Sequence, residues 1–313
     1  MKRVCPVCGA RRGRRVWSEA GYAYLRCSCC GAIFSDLTEA DYERSRHNVW
    51  NEARPSEGAV EFYGPARERV HDEFLDRWPP FGNGRLLDVG CGLGYFLGRA
   101  AERGWSVDGI DTSPAWVELA NRRLGSPRVE LAPLEQSSFV PGSFALITVW
   151  DVVEHVFEPV PFLARVGELL APGGRLFIRT PNIAYVYPIY AARRLLLGHD
   201  VGLGPTNHVV YFTAATMRLA LGRAGLQAIS WPVHVPPQVA PRPGGAADDL
   251  GRQRLVIRAK NAYSRVAGSL ARRTGGRVVL GSDLDVVCER DESGSSAGED
   301  RPGRRGEDQQ VEP

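Results

Sequence analysis

The chain has 313 residues, of which 43% are hydrophobic and 24% charged, which is an ordinary globular composition. Its net charge of +3 is too small to indicate a nucleic-acid partner by itself. No run reaches the roughly 18 apolar residues that span a membrane, and the basic start leads into Cys-Pro-Val-Cys, so we expect no signal peptide. We expect a cytoplasmic location, where the seven cysteines are metal ligands or core residues rather than disulfides.

The first 36 residues carry two Cys-x2-Cys pairs with 18 residues between them, a spacing typical of structural zinc sites. The pattern predicts one Zn²⁺ held by four thiolates, those of Cys5, Cys8, Cys27 and Cys30. In this assignment a glycine follows each pair at the equivalent position, and Cys29 is left over. Four sulfur ligands leave no open coordination position, so the metal is expected to be structural and not catalytic. Residues 1–36 are therefore predicted to form a zinc ribbon.

Residues 37–84 are polar with scattered aromatic side chains and are predicted to form a helical linker or lid. Helices are expected at residues 38–46 and 59–78, the second ending before two prolines. Asn83-Gly84 then makes the turn into the first strand of the next unit.

Residues 86–97 predict a buried strand, a turn with the spacing Gly-x-Gly-x-Gly, and the start of a helix. Glycines let the backbone approach a ligand and let the helix pack closely on the sheet, so this segment predicts a nucleotide site. The dinucleotide fingerprint is not met, because Tyr95 stands where its third glycine belongs. A second strand ends at Asp111, about 20 residues after the turn, where a carboxylate can accept hydrogen bonds from ribose hydroxyls.

This combination resembles the class I S-adenosylmethionine-dependent methyltransferases, whose Asp-x-Gly-x-Gly-x-Gly motif and ribose-binding acid it matches. The resemblance implies an α/β fold over residues 85–290, a Rossmann-like seven-stranded, mostly parallel sheet with helices on both faces. It also implies S-adenosylmethionine as cofactor. The candidate cofactor-binding residues are Asp88, Gly90, Cys91, Gly92, Gly94, Asp111, Thr112, Glu135 and Trp150.

Two positions depart from the family's usual pattern. Pro133 stands where relatives often have an acid that contacts the adenine amine, so that role falls to Glu135 or to backbone. Ala145, near the start of the predicted fourth strand, stands where the family usually has an aspartate.

The exit of the fourth strand, Asp151-Val-Val-Glu154-His155, matches the Glu/Asp-x-x-Glu-His form of many small-molecule methyltransferases, including those of quinone biosynthesis. Ligands lie at the carboxyl ends of strands in such sheets, so these side chains should face the reacting methyl group. His155 is a candidate general base, since imidazole titrates near neutral pH. The trio could instead bind a divalent cation, or cap a helix beside a packed histidine. His208 is a second candidate base, or else a packed side chain.

The remaining core elements are predicted from turn signals. Residues 162–170 predict a helix stopped by Ala171-Pro-Gly-Gly174, with a strand at residues 175–180. Thr213 is expected to cap a helix, followed by a strand at residues 225–235. Residues 284–288 predict a last strand, antiparallel at the sheet edge, and the tail at 291–313 is expected to be disordered.

We therefore expect methyl transfer by direct displacement to a small-molecule acceptor, such as a sugar, a phenol or quinone-like compound, or another metabolite. One alternative is an RNA methyltransferase whose ribbon binds nucleic acid, which the basic residues 11–15 favour. The core, however, lacks an Asn/Asp-Pro-Pro-Tyr-like motif of base-amino methylation. The other alternative is a non-catalytic module that retains the fold, for which the missing acids at positions 133 and 145 argue.

Overall fold

The computed structural model describes residues 3–19, 21–46, 65–197, 203, 207–232, 262–263 and 265–291. Residues 59–64 of the helix predicted at 59–78, and residues 292–313 of the tail predicted from residue 291, lie outside these ranges. Within these ranges, no helix has the length and apolar character needed to cross a membrane.

The strands and helices are numbered here in chain order. The strands are β1 (Gly13–Glu19), β2 (Tyr22–Cys27), β3 (Ile33–Ser35), β4 (Arg85–Val89), β5 (Ser106–Asp111), β6 (Val129–Leu131), β7 (Phe144–Trp150), β8 (Leu170–Pro181), β9 (Val210–Tyr211), β10 (Leu226–Ser230) and β11 (Asp283–Arg290). The helices are α1 (Glu39–Arg46), α2 (Pro65–Arg77), α3 (Tyr95–Glu102), α4 (Pro114–Leu124), α5 (Pro159–Leu169), α6 (Ile183–Leu197) and α7 (Ala214–Arg223).

The main sheet has seven strands in the order β10-β11-β8-β7-β4-β5-β6. The five strands from β8 to β6 are parallel, as expected for a Rossmann-like α/β fold. All seven residues of β7 are buried, which is typical of a central strand covered on both faces. The α/β class and the seven-stranded sheet predicted from the sequence are confirmed.

Successive residues of the central strands point to opposite faces and enter two separate apolar clusters. Leu86, Leu146 and Phe177 pack against α2, α3 and α4, in a cluster that includes Phe74 and Phe96. The next residue of each strand enters the other cluster, with α5 and α7; these residues are Leu87, Ile147 and Ile178. Helices therefore cover both faces, and the carboxyl ends of the strands remain open between them.

The last strand differs from its predicted position. β11 is antiparallel, as expected, but it lies between β8 and β10 and not at the edge. Residues 284–288 are all buried, which an interior strand requires, whereas three of the five residues of β10 are exposed. The short, half-exposed β10 is thus the strand suited to the edge.

Element boundaries near the Pro-Gly-Gly segment also differ from the prediction. The helix spans Pro159–Leu169, and β8 begins directly at Leu170 rather than after the glycines. Leu170 pairs with Phe144 and Arg175 with Leu146, so residues 171–174 form a bulge inside the strand pair. The cap predicted at Thr213 is confirmed, because its side chain accepts from the backbone N–H of Thr216.

The N-terminal residues form a second, four-stranded sheet with the order β1-β2-β3-β9. Its first three strands come from the cysteine-rich segment, but β9 comes from the loop region before α7 and pairs antiparallel with β3. Cys5, Val7 and Phe34 belong to the same apolar cluster as the central strands and α5. The N-terminal segment thus packs on the main domain through a shared sheet and a shared core.

Candidate active site

One cleft opens at the carboxyl ends of β4, β5 and β7, where ligands bind in open α/β sheets. It brings together ten of the residues selected from the sequence. These are Asp88, Gly90, Cys91, Gly92, Asp111, Thr112, Glu135, Trp150, Asp151 and His155. It is also lined by residues from helices and turns around it, among them Tyr42, Arg67, His71, Trp116 and Phe162. The cleft is therefore assembled from segments far apart in the chain.

The glycine turn after β4 forms the floor of one end of the cleft. Gly90 has φ 73°, and a Cβ there would lie 2.4 Å from a methyl carbon of Val152, so glycine is required both by conformation and by space. Its N–H donates to the carbonyl oxygen of Ile110 at 2.8 Å, which ties the turn to the end of β5.

Asp111 lies at the end of β5 beside this turn, and its carboxylate is hydrogen-bonded to the backbone of the turn. One oxygen accepts from the backbone N–H of Gly92 and the other from that of Ser113, both at 2.9 Å. Burial raises the pKa of Asp111, and the N–H groups of Ser113, Gly92 and Thr112 oppose that rise. Since each carboxylate oxygen has two lone pairs, both can accept a further hydrogen bond from a ligand.

Two members of the glycine motif serve the fold more than the cleft. Asp88 is buried and accepts a hydrogen bond from the Thr148 hydroxyl at 2.7 Å, and burial raises its pKa to about 8. Gly94 does not line the cleft; it precedes α3 with φ 72°, and a Cβ there would lie 3.0 Å from the Cβ of Ala120. Asp88 thus joins β4 to β7, and Gly94 allows α3 and α4 to pack closely.

Asp151 occupies an unusual backbone position at the exit of β7. Its φ of 52° makes it the only non-glycine residue with positive φ among those described. Aspartate adopts this conformation more readily than most residues, and strained backbone positions cluster at functional sites. Its carboxylate pairs with the Arg67 guanidinium at 2.7 Å, and its N–H donates to the carbonyl oxygen of Arg179 at 2.9 Å. These contacts hold the carboxylate at the wall of the cleft.

His155 ends a 3-10 turn, Val153–His155, on the same wall. Its Nδ1 lies 2.8 Å from the carbonyl oxygen of Asn207, which can only accept, so Nδ1 carries the proton. Burial lowers the pKa of His155, so the imidazole is neutral at neutral pH. A neutral imidazole with a proton on Nδ1 has an unshared pair on Nε2, which can accept a proton.

Glu154 and His208 lie behind His155, outside the cleft lining. The rings of His155 and His208 are 4.7 Å apart, and burial, with the neighbouring His155, lowers the pKa of His208 to about 3. Glu154 is fully buried, and one carboxylate oxygen accepts from the Thr180 hydroxyl at 2.8 Å. Burial, reinforced by Asp151, raises the pKa of Glu154 well above its usual value. Ligand atoms of the three side chains lie within 4.8 Å of one another, so they could hold a cation.

Two of the polar cleft residues that the sequence interpretation missed lie on α2. Arg67 and His71 are four residues apart and therefore lie on the same face of the helix. His71 is 4% exposed, and burial lowers its pKa to about 3. Its Nδ1 and the Nε1 of the adjacent Trp150 are both buried and make no hydrogen bond to the residues described. The spacing alone gives no signal, because other polar pairs of this helix, such as Glu68 and Asp72, are also four residues apart.

The four predicted metal ligands form the second candidate site, away from the cleft. Their sulfur atoms lie within 4.8 Å of one another, and two of the pairs, Cys5 with Cys30 and Cys8 with Cys27, are 3.6 Å apart. A tetrahedron with Zn–S bonds of about 2.3 Å has edges of about 3.8 Å, so the cluster has the size that Zn²⁺ requires. The exposed Cys29 is not part of it.

The two cysteine turns have the same backbone structure. The N–H of Gly9 donates to the carbonyl oxygen of Cys5 at 2.8 Å, and that of Gly31 to Cys27 at 3.1 Å. Both glycines have positive φ, 76° and 80°. Gly9 and Gly31 therefore occupy equivalent positions in the fold, as the choice of four ligands among the five N-terminal cysteines requires.

Comparisons with known proteins agree with this architecture. A family model described as a methyltransferase domain matches residues 62–230, just over half of the chain. The ubiquinone biosynthesis O-methyltransferase of Xanthomonas euvesicatoria pv. vesicatoria (strain 85-10) is 30% identical over 203 residues, which cover 61% of this chain and 80% of that protein. The protein of the same name from Aeromonas salmonicida (strain A449) is 33% identical over 150 residues, 45% of this chain. The chain spans 62% of the length of that relative, less than two thirds.

Among solved structures, the 1,6-didemethyltoxoflavin-N1-methyltransferase of Burkholderia thailandensis, with 1,6-didemethyltoxoflavin and S-adenosylhomocysteine bound, matches with a TM-score of 0.51. It is 15% identical, and the match covers 88% of this chain and 99% of that one, so the likeness concerns the fold alone. The family model and the Xanthomonas relative go further than the fold. The chain therefore belongs to the methyltransferase domain family.

Proposed function

We propose that the protein transfers a methyl group from S-adenosylmethionine to a hydroxyl oxygen of a small acceptor, such as a phenol, a quinol or a sugar. The proposal rests on one observation, the lining of the cleft. It includes the glycine turn, Asp111 and the neutral His155. Two relatives named as O-methyltransferases support oxygen as the methylated atom. S-adenosylmethionine supplies a methyl group that its sulfonium already activates, so the protein has mainly to position the acceptor.

The residues of the cleft fit this cofactor. The carboxylate of Asp111 retains lone pairs for the ribose hydroxyls, and the turn at Gly90 allows close approach of its backbone. Glu135 lies in the turn Leu134–Gln136 at the cleft. There the Glu135 side chain, or the backbone, would form hydrogen bonds with the edge of the adenine. The buried Nδ1 of His71 and Nε1 of Trp150 make no hydrogen bond within the described part of the chain and could bind a ligand.

His155 is the proposed general base. The proton on its Nδ1 is committed to the carbonyl oxygen of Asn207, so Nε2 is the atom that takes the proton of the acceptor hydroxyl. The acceptor oxygen forms the new O–CH₃ bond, and the methyl–sulfur bond breaks with its electron pair remaining on sulfur. Asp151, whose negative charge raises the pKa of His155 against the effect of burial, stabilises the imidazolium that results.

We further propose that the cysteine cluster binds one structural Zn²⁺ and that residues 1–36 are a zinc ribbon, as their spacing predicts. The size of the cluster and the matched turns at Gly9 and Gly31 support this. Residues 37–84 would then connect the ribbon to the methyltransferase domain at 85–290 and contribute to its cleft, through Tyr42, Arg67 and His71. A reducing, cytoplasmic location would keep the four thiols available to the metal.

Removing the Asp111 carboxylate tests the assigned cofactor site. Asp111→Ala is expected to weaken S-adenosylmethionine binding by about 1.5–3 kcal/mol, the range for hydrogen bonds to a charged group. Isothermal titration calorimetry of both proteins measures the difference. Asp108→Ala, on the same strand but outside the cleft lining, is the matched control and should bind as the wild type does. Equal affinity of Asp111→Ala and wild type would show that the ribose does not contact this carboxylate.

The proposed function is tested by titrating the zinc-loaded protein with S-adenosylmethionine and then measuring transfer of a radiolabelled methyl group to a panel of acceptors. Saturable binding and transfer to catechols, quinols or sugars is the expected result. The panel includes matched amines, so that transfer to an amine but not to its hydroxyl analogue would contradict oxygen as the methylated atom. A folded protein that does not bind S-adenosylmethionine would contradict the cofactor assignment.

A further inference from the structure

The N-terminal ribbon touches the two segments that carry the histidines of the proposed acceptor site. The first segment, residues 154–157, follows β7 and contains His155; the second, residues 207–211, contains His208 and β9. We propose that Tyr24 and Arg3 of the ribbon are positioning residues for these two segments. This inference rests on the proposed role of His155 as the base.

The two histidine segments are bonded to each other. The N–H of Val209 donates to the carbonyl oxygen of Glu154 at 2.8 Å, and Nδ1 of His155 donates to the carbonyl oxygen of Asn207 at 2.8 Å. The position of the His155 ring, and the nitrogen that carries its proton, therefore depend on where residues 207–209 lie. Any element that fixes those residues also fixes the base.

Tyr24 fixes the second segment from β2. Its side chain is completely buried, its ring packs 5.6 Å from that of Tyr211, and its hydroxyl lies 2.5 Å from the carbonyl oxygen of His208. The carbonyl oxygen of Leu203 lies 3.1 Å from the same hydroxyl. The hydroxyl of Tyr211 donates to that Leu203 oxygen at 2.8 Å and so accepts from Nδ1 of His208, 2.9 Å away. The tautomer of His208 thus follows from a network that Tyr24 joins at the Leu203 oxygen. The tautomer of His155 follows from its own bond to Asn207, the residue next to the His208 carbonyl that Tyr24 contacts.

Arg3 joins the two segments directly. One guanidinium nitrogen donates to the carbonyl oxygen of Phe157 at 2.5 Å, and the other donates to those of Val209 at 3.2 Å and Ser35 at 3.1 Å. The guanidinium carbon also lies 3.9 Å from the centre of the Phe157 ring. A single side chain therefore binds the ribbon strand β3, the segment after His155 and the segment after His208.

The ribbon reaches the cleft wall through these contacts without lining the cleft itself. Neither Tyr24 nor Arg3 lines it, so neither contacts the cofactor or the acceptor there. Misplacing a catalytic group by about 1 Å can lower a rate about 100-fold, so contacts of this kind affect catalysis from a distance. The ribbon then supports the acceptor site from behind its wall and is not a separate binding module.

Tyr24→Phe tests the inference, because it removes one hydroxyl and retains the buried ring. We expect kcat to fall about 10- to 100-fold, while the KM for the acceptor and the affinity for S-adenosylmethionine stay within about twofold. Tyr187→Phe is the matched control: it removes a tyrosine hydroxyl of the same apolar cluster that donates to the carbonyl oxygen of Val16 at 3.3 Å and, among the described residues, makes no hydrogen bond to either histidine segment. That variant should behave as the wild type. Arg3→Met should lower kcat similarly with zinc content retained.

A second readout does not require any methyl transfer. Long-range ¹H–¹⁵N spectra of the histidine rings report which nitrogen is protonated, with His155→Asn and His208→Asn identifying the signals. We expect both rings of the wild type to carry the proton on Nδ1, and Tyr24→Phe but not Tyr187→Phe to broaden or move these signals. Unchanged ring signals and unchanged kcat in Tyr24→Phe would overturn the inference. If no acceptor is methylated by the wild type, the proposed function fails and the ring spectra still decide the positioning role.

Discussion

Replacement of His155 by asparagine is expected to lower kcat by about 10²- to 10⁴-fold, the contribution typical of a general base. The change removes Nε2 as a proton acceptor and keeps a polar side chain of similar width at the cleft wall. The affinity for S-adenosylmethionine should remain within about twofold, because the cofactor contacts assigned above lie elsewhere in the cleft. Methyl-transfer kinetics with calorimetric titration measure both quantities on the same preparation.

The pH profile provides an independent check on the base. Because burial lowers the pKa of His155, its neutral form persists to lower pH than that of an exposed imidazole. The base is active when neutral, so kcat/KM of the wild type should hold as pH falls and decline only below about 6.5, the ordinary value. A decline that begins well above that value would contradict the assignment of His155.

The variant His208→Asn distinguishes between two roles of His155, that of a general base and that of a ligand to a divalent cation. If His155 is the base, His208→Asn should cost less activity than His155→Asn, because His208 does not line the cleft. If Glu154, His155 and His208 hold a divalent cation, the two variants should lose similar activity, and added Mg²⁺ or Mn²⁺ should restore part of it. Rescue by the metal would therefore contradict the base mechanism.

Loss of the proposed zinc is expected to have the largest effect on the fold. Cys27→Ser should abolish stoichiometric zinc binding, and the apparent free energy of such sites is on the order of 10 kcal/mol. A ribbon with three short strands cannot compensate for that loss with its own core. We expect β1–β3 to lose protection in hydrogen–deuterium exchange, the melting temperature to fall, and methyl transfer to be lost. Elemental analysis measures the zinc content of the same samples.

Cys29→Ser is the control that this chain offers. Cys29 is exposed and lies outside the four-sulfur cluster, two residues from Cys27 in the same turn. It should therefore retain one zinc per chain, wild-type exchange protection and wild-type melting temperature. Zinc loss in Cys29→Ser with retention in Cys27→Ser would show that the ligand set is assigned incorrectly.

The parts of the molecule that were predicted correctly from sequence are those set by local chemistry. The turn from Gly90 to Gly94 can be recognised in the sequence, because positive φ and close packing against neighbouring atoms both require glycine. The proximity of the four cysteine sulfurs follows from a pattern within 36 residues, while their binding of zinc stays a prediction. Thr213 caps α7 by a contact three residues away. The run from Phe144 to Trp150 is apolar except for Thr148, so both faces of this strand have to be covered. It is accordingly a buried central strand.

The parts that were missed depend on contacts between distant segments. Nothing near Val210 indicates that it pairs with Phe34, 176 residues earlier, because a two-residue strand has no periodicity of its own. The orientation of His71 towards Trp150 is set by the packing of α2 on the sheet. The contacts of Asp111 with the N–H groups of Gly92 and Ser113 likewise join segments that are separate in the sequence.

The pairing of β3 with β9 has a consequence for how the chain is made. During synthesis the ribbon emerges from the ribosome before the strand that covers its free edge, which is encoded near residue 210. Until then β3 presents unpaired backbone groups, a template for association with other nascent chains. Its three residues are also buried in the finished protein, so the exposed edge is short but apolar. The four-stranded sheet of the ribbon can therefore be completed only after residues 210–211 have been synthesised.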